Sequence, residues 1–194
     1  MPATPARETV TRSESETFYY HIDGEDRIIQ VSPNWDAFAL ASDAPEICAQ
    51  KILNHPLMIF LSGLETKHLY KILLAKVRRT QNPLTVPFRC DGPALRRFME
   101  LTMRPLAGKR IEFQSIVLRE ERRDSVPLLD RTSPRTDQLI SICAWCKKVK
   151  VDSEWLEVED AIGKLQLFHE PLLPKLTHGM CSSCQTQLEN EMAA

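Results

Sequence analysis

The first part of the chain alternates short apolar stretches with turn residues, a pattern typical of a small mixed fold. Residues 18–22 and 27–31 flank an Asp-Gly pair that favours a tight turn, so they predict a β-hairpin. Ser32 and Pro33 follow, and because serine caps helices and proline suits the first helical position, they predict a helix start. Residues 42–62 predict short helical pieces and loops.

A longer helix is predicted from Gly63 to about Gln81. Its side chains repeat with helical spacing, and the positions that trace this spacing are Leu69, Ile72, Leu73, Lys76 and Val77. The same helix has a basic side formed by Lys67, Lys71, Arg78 and Arg79. A solvated helix face is the more common meaning of such a pattern, and an anionic partner is the less common one.

Three later stretches alternate apolar and polar residues with a period of two, which indicates half-buried antiparallel strands. They cover residues 84–90, 99–103 and 111–117. Because Pro87 has no N–H to donate to a neighbouring strand, the first of the three is predicted at the edge of the sheet. The predicted order is therefore two strands, several helices and three strands, an α+β fold.

Residues 15–122 resemble a PAS domain. The resemblance rests on Ile22-Asp23-Gly24, on the stretch from Arg27 to Trp35 (RIIQVSPNW), and on the order of the predicted elements. It implies an antiparallel sheet with helices, an edge position for the strand that carries Pro87, and a sensory domain that commonly dimerises. Trp35, Phe38, Met99, Leu101 and Met103 either fill the core of such a domain or line a ligand cavity.

Composition and proline content divide the remaining chain. Hydrophobic residues make up 43% and charged residues 26% of the 194 residues, which is typical of a globular protein. Residues 1–14 predict a flexible tail, residues 123–137 a charged, proline-containing linker that docks through Val126, Leu128 and Leu129, and residues 138–194 a second, smaller module. Within that module, helices are predicted at 155–167 and 182–192.

The strongest chemical signal lies in the module. Two C-x2-C pairs, Cys143/Cys146 and Cys181/Cys184, are separated by 34 residues. Each pair presents two sulfurs to one ion, so together they predict a closed, tetrahedral, structural zinc site. Rubredoxin-like iron is the alternative; rubredoxins usually place glycine after each pair, whereas Lys147 and Gln185 stand there. The module should need the metal to fold, and the PAS-like part should survive without it because it is expected to have its own core.

The stretch from Cys143 to Lys148, with the later Leu-Pro-Lys-Leu-Thr-His-Gly-Met-Cys sequence, also resembles a small C-terminal module that follows sensory domains in bacteria. That resemblance implies no biochemical activity. His178, three residues before Cys181, is either an alternative ligand or a histidine beside the site.

Two other kinds of residue are candidates for cofactor chemistry. His68 lies on the long helix, where haem-binding PAS sensors carry an axial histidine, so it is a candidate haem ligand against the more ordinary surface or half-buried role. Cys48 and Cys90 are expected to be small packed side chains.

Several function classes are excluded or disfavoured. The six glycines are too widely spaced for a phosphate loop, a dinucleotide fingerprint or a nucleophile elbow, so we expect a protein that is not an enzyme. The net charge is −1, and from Gln138 onward there are five lysines, no arginine and eight acidic residues, so nucleic acid is not an expected partner.

The sequence therefore predicts a non-enzymatic signalling protein, a sensor or adaptor that acts through a protein partner or a homodimer. A haem- or redox-responsive sensor and a transcriptional regulator are the alternatives. The absence of a secretory signal and of a membrane-length apolar run predicts a cytoplasmic protein with no membrane partner. The ligand of the PAS-like part is left open.

Overall fold

The computed structural model describes residues 17–42, 44–167 and 170–193. The predicted tail, residues 1–14, lies outside the described residues. The strands are β1 Thr17–Ile22, β2 Ile28–Val31, β3 Leu84–Arg89, β4 Leu95–Pro105, β5 Ile111–Arg122, β6 Arg135–Cys143, β7 Val149–Val151, β8 Glu154–Leu156 and β9 Leu173–Gly179. The α-helices are α1 Trp35–Ala41, α2 Ala49–Ile52, α3 Leu64–Thr80, α4 Val158–Lys164 and α5 Ser182–Ala193. None of these described helices has the length and apolar character needed to cross a membrane.

The N-terminal sheet is antiparallel, with the strand order β2-β1-β5-β4-β3. The predicted hairpin forms because the Asp23 carboxylate accepts hydrogen bonds from the backbone N–H groups of Glu25 (2.9 Å) and Arg27 (2.8 Å), which closes the turn. The strand with Pro87 lies at the sheet edge as predicted, and Pro87 is paired with Glu100 of β4. The α+β fold class is confirmed.

The first helix begins later than the sequence predicts. Helix α1 starts at Trp35 with Asn34 as its cap, while Ser32 and Pro33 form the turn before it. The Asn34 amide donates to the Thr17 carbonyl at 3.2 Å, and the Trp35 indole donates to the Ile47 carbonyl at 2.7 Å. These long-range bonds fix the helix start, and sequence propensity alone does not contain them.

Helix α3 lies on one face of the N-terminal sheet and follows the prediction closely. Its buried side chains are Thr66, Leu69, Leu73, Leu74 and Val77. It ends at Thr80, and the capping residue Gln81 adopts a left-handed backbone (φ 56°) and donates its N–H to the Val77 carbonyl. On the predicted basic side, Arg78 pairs with Asp26 at 2.7 Å and donates to the Asp23 carbonyl, so this arginine anchors the hairpin turn.

The C-terminal sheet was not predicted. Its order is β8-β7-β6-β9, and β6 and β9 run parallel while the other pairs are antiparallel. Trp155, predicted in a helix, lies in β8, and α4 begins only at Val158. Strands of three residues are too short to show a clear period, and Trp155 and Leu156 of β8 continue directly into the apolar pattern of the predicted helix.

The segment between the two sheets is partly buried. Residues 127–129 form a single 3₁₀ turn, and Leu128 and Val126 pack in a second hydrophobic cluster with Ile142, Val149 and Val158. The Arg135 side chain then donates to the carbonyls of Leu128, Asp130 and Pro174. The segment therefore packs against the C-terminal sheet through its apolar side chains.

The main hydrophobic core is shared by both parts of the chain. It contains Leu69, Leu73 and Phe113 from the N-terminal part together with residues of the C-terminal part, namely Cys143, Trp145, Cys181, Cys184 and Leu188. The expectation of a separate core for residues 15–122 is therefore wrong. The physical reason is that the C-terminal part is small and places its largest buried ring, Trp145, against α3.

A charged cluster also joins the two parts; it consists of Arg89, Asp91, Arg123, Glu157 and Glu159. The Asp91 side chain is 0% exposed and lies between Arg89 and Arg123, the latter at 3.5 Å. Arg89 also donates to Glu157 at 2.7 Å, and Arg123 donates to Glu159 at 2.9 Å. Burial lowers the pKa of Arg89, but the hydrogen bonds that its guanidinium donates to the Asp91 and Glu157 carboxylates outweigh this and raise the pKa above its ordinary value. The guanidinium therefore stays charged inside the protein.

We expect Asp91→Asn to lower the free energy of unfolding by about 3–5 kcal/mol, because it leaves two buried arginines with one fewer negative partner. Urea denaturation measures the change. Lys175→Ala is the matched control, since it breaks an exposed pair with Asp137 and should leave the urea midpoint unchanged. Equal midpoints for Asp91→Asn and the parent would contradict the role assigned to the cluster.

Gly63 provides a second test of the contact between the two parts. It has φ +84°, and a Cβ atom there would lie 2.6 Å from the His178 carbonyl oxygen of β9. Gly63→Ala should cost roughly 1–3 kcal/mol and lower the Tm by several degrees, from both backbone strain and the clash. At Gly92 an added Cβ meets nothing within 4 Å, so Gly92→Ala is the control. A Gly63→Ala protein as heat-stable as Gly92→Ala would refute this.

Candidate metal centre

The first cysteine pair lies at the end of β6. Cys143 is the last residue of this strand, and the backbone N–H of Lys147 donates to the Cys143 carbonyl at 3.0 Å, which closes a turn. Lys147 adopts φ 62°, the left-handed backbone that glycine favours. Lys147 thus adopts, without being glycine, the backbone shape that glycine favours.

The second pair lies where β9 leads into α5. Cys184 is in the first turn of α5, and Cys181 comes directly before this helix. Cys143 is paired with Gly179 in the parallel β6–β9 ladder, and the Ala144 N–H donates to the Gly179 carbonyl at 2.9 Å. This ladder brings together two cysteine pairs that are 34 residues apart in the sequence.

The four sulfur atoms all lie within 4.8 Å of one another. The Sγ atoms of Cys146 and Cys181 are 3.6 Å apart. A tetrahedral zinc ion with Zn–S bonds of 2.3 Å requires sulfur–sulfur distances of about 3.8 Å. The donor set and its dimensions therefore fit a tetrathiolate ion such as zinc.

Backbone N–H groups orient two of these sulfurs. The Cys181 N–H donates to the Cys143 sulfur at 3.5 Å, and the Cys184 N–H donates to the Cys181 sulfur at 3.4 Å. Such bonds favour the thiolate form, because an N–H dipole stabilises a nearby negative charge. These hydrogen bonds therefore favour the form of the Cys143 and Cys181 sulfurs that binds a metal ion.

The electrostatics of the cluster call for a cation. Hydrogen bonds from Cys146 and Cys184 lower the pKa of Cys143, so this thiol ionises first. The neighbouring Cys143 raises the pKa of Cys146 to about 12 and that of Cys184 still further. Four thiolates therefore coexist here only with a metal ion that neutralises them, and bound metal must compete with protons at low pH.

The centre is enclosed on most sides. Cys143, Cys181 and Cys184 are buried and Cys146 is half-buried. Four cysteines complete a tetrahedral sphere and leave no open position for a substrate. An ion bound here would therefore be structural.

Aromatic rings connect the centre to the interior of the N-terminal part. Trp145, between the first two ligands, meets Tyr70 of α3 edge-on with centroids 5.9 Å apart. Tyr70 stacks near Phe113 at 6.3 Å, and Phe113 stacks on Tyr20 at 4.5 Å. Burial raises the pKa of Tyr70 to about 12 and that of Tyr20 well above its ordinary value, so both rings stay neutral. These rings occupy the space between α3 and the sheet.

His178 lies beside the centre. In the part of the chain that the structure describes, the metal-competent group contains the four cysteines without a histidine. His178 is paired with Ile142 in the β6–β9 ladder, and its carbonyl lies against Gly63. Burial, and secondarily the charge of Lys147, lowers its pKa, so the imidazole is neutral. The His178 backbone thus lies where β9 meets the start of α3.

The remaining candidates are separate from the metal centre. His68 is exposed on α3, so its imidazole does not face the buried side of this helix and the haem hypothesis gains no support. Cys48 and Cys90 are half-buried and unpaired. Sequence reasoning missed the charged cluster and Tyr70, because their partners lie far away in the sequence and leave no local pattern.

The chain matches no protein-family model and no curated protein. Interpretation of the centre therefore depends on its residues and their geometry.

We expect metal removal, or Cys181→Ser, to destabilise both parts of the chain, because Cys181 packs in the shared core. The urea midpoint should fall, and protease sites should open in α5 and also around α3. Cys48→Ser is the control, since Cys48 lies outside the cluster and should keep the parent's metal content and stability. A Cys181→Ser protein with the parent's zinc content and midpoint would contradict the assignment.

Proposed function

We propose that the chain is a non-enzymatic signalling protein, a PAS-type sensor or adaptor, whose C-terminal module holds one structural zinc ion through Cys143, Cys146, Cys181 and Cys184. It acts by binding a protein partner or a second copy of itself in the bacterial cytoplasm. The observation that carries the proposal is that the four sulfurs lie within 4.8 Å of one another in the core shared by both parts of the chain.

The arrangement of elements supports the PAS-type interpretation. Two strands, a series of short helices, the long helix α3 and three strands follow in the order on which the resemblance rests. The pairing of β1 with β5 closes them into one sheet, with α3 on one face. The order of strands and helices that the PAS resemblance implies is thus compatible with this fold.

The opposite face of the sheet is the proposed contact surface. It carries Tyr19 and His21 of β1, whose rings stack at 5.3 Å, and the polar group formed by Glu112, Arg104 and Gln114. His21 bonds Glu112 at 3.1 Å, so the polar side chains are already oriented. A half-buried face that mixes aromatic and paired polar groups suits a protein partner.

Zinc binding by thiolates requires reduced cysteines. A cytoplasmic setting keeps cysteines reduced, and a structural zinc ion then provides the cross-link that a disulfide provides in secreted proteins. Iron is the chemical alternative, because a tetrahedral set of four cysteine thiolates also suits iron. Iron would colour the protein and zinc would not.

A redox-responsive sensor is the second candidate function. The specific observation that favours it is the half-buried position of Cys146, with its sulfur 3.6 Å from that of Cys181. The haem-responsive version has only His68 as a candidate ligand, and His68 is exposed. A transcriptional regulator would require a basic surface that the net charge of −1 does not favour.

The decisive measurement is elemental analysis combined with a visible spectrum of the purified, reduced protein. We expect about one zinc per chain and no visible absorption, because one tetrathiolate site accounts for all four clustered cysteines.

Light scattering over a concentration series should show a dimer. Tyr19→Glu should weaken this dimer, while Lys150→Glu, on the exposed side of β7, should not. A Soret band, an iron–thiolate spectrum or salt-dependent DNA binding would each refute the proposal.

A further inference from the structure

We propose that Cys146 is the oxidant-reactive position of the centre, and that hydrogen peroxide converts Cys146 and Cys181 into a disulfide and releases the metal. This inference rests on the proposed zinc centre and assigns it a regulatory input. The metal ion that would hold the end of β6 to the start of α5 could then be removed.

Exposure distinguishes Cys146 from the other ligands. Cys143, Cys181 and Cys184 are 0%, 3% and 7% exposed, whereas Cys146 is half-buried. Of the four cysteines, Cys146 is therefore the residue most accessible to an oxidant from solvent. Oxidation of thiolates follows accessibility as well as thiolate character.

The neighbouring sulfur completes the chemistry. The Cys146 thiolate attacks one oxygen of hydrogen peroxide, an S–O bond forms, the O–O bond breaks, and the hydroxide that leaves takes a proton from solvent. The Cys181 thiolate, 3.6 Å away, then attacks the Cys146 sulfur, an S–S bond forms, and a second hydroxide leaves and is protonated. Two thiolates lose two electrons in total, and peroxide becomes two molecules of water.

Loss of two ligands would free the ion, because two remaining cysteines do not complete its tetrahedral sphere. The effect would extend to the contact between the two parts of the chain. Leu188 of α5 packs in the shared core, and the Lys76 ammonium of α3 donates to the Glu191 carbonyl at 2.7 Å. Release of the metal would loosen α5 from α3 and expose part of this core.

The test uses the full, reduced, zinc-loaded protein and hydrogen peroxide. A metallochromic dye follows zinc release, and mass spectrometry of alkylated, non-reduced peptides identifies the linkage. We expect about one zinc released per chain, together with a Cys146–Cys181 disulfide. A linkage within either C-x2-C pair, first oxidation at Cys48 or Cys90, or retention of zinc under peroxide would overturn the inference.

The zinc content before oxidation distinguishes a failure of the proposed zinc centre from a failure of the proposed oxidation. Purified protein without zinc would overturn both the proposed function and this inference. Protein with one zinc that resists peroxide would overturn the inference alone and leave the structural zinc intact.

Discussion

The parallel pairing of β6 with β9 is the interaction on which most of the structure depends. It joins Cys143 to Gly179 and so brings the two cysteine pairs into one cluster of sulfurs within 4.8 Å. Four thiols at this separation do not ionise together without a cation, since ionised Cys143 raises the pKa of its neighbours. The ladder positions the ligands, and the charge that they would carry makes a bound metal the natural complement.

The same cluster joins the two parts of the chain. Trp145 and Cys181 pack in the main core with α3, while the charged cluster around Asp91 connects β3 and β5 to the start of α4. One contact is apolar and tolerates little change in volume, and the other is ionic and tolerates little change in charge. A signal that alters the metal centre would therefore act on the relation between the two parts as well as on the small C-terminal sheet.

Elements with a long or regular pattern were predictable. The hairpin, α3, α5 and the edge strand with Pro87 match the sequence analysis, because each has a turn signal, a clear helical period or a residue with a unique backbone constraint. The C-terminal sheet was missed because β7 and β8 have three residues each, too few to show a period. The start of helix α1 was predicted too early, because hydrogen bonds from Asn34 to Thr17 and from Trp35 to Ile47 set it.

The sequence by itself determined the four cysteines as a candidate metal site, since two C-x2-C pairs constrain the chemistry regardless of the fold. It also determined the alternation of apolar residues that makes the N-terminal sheet. Only the tertiary structure decided that the metal centre lies in a shared core, that Asp91 is buried between two arginines, and that His68 faces solvent. Local patterns record spacing along one element, whereas burial and ion pairing depend on which distant elements meet.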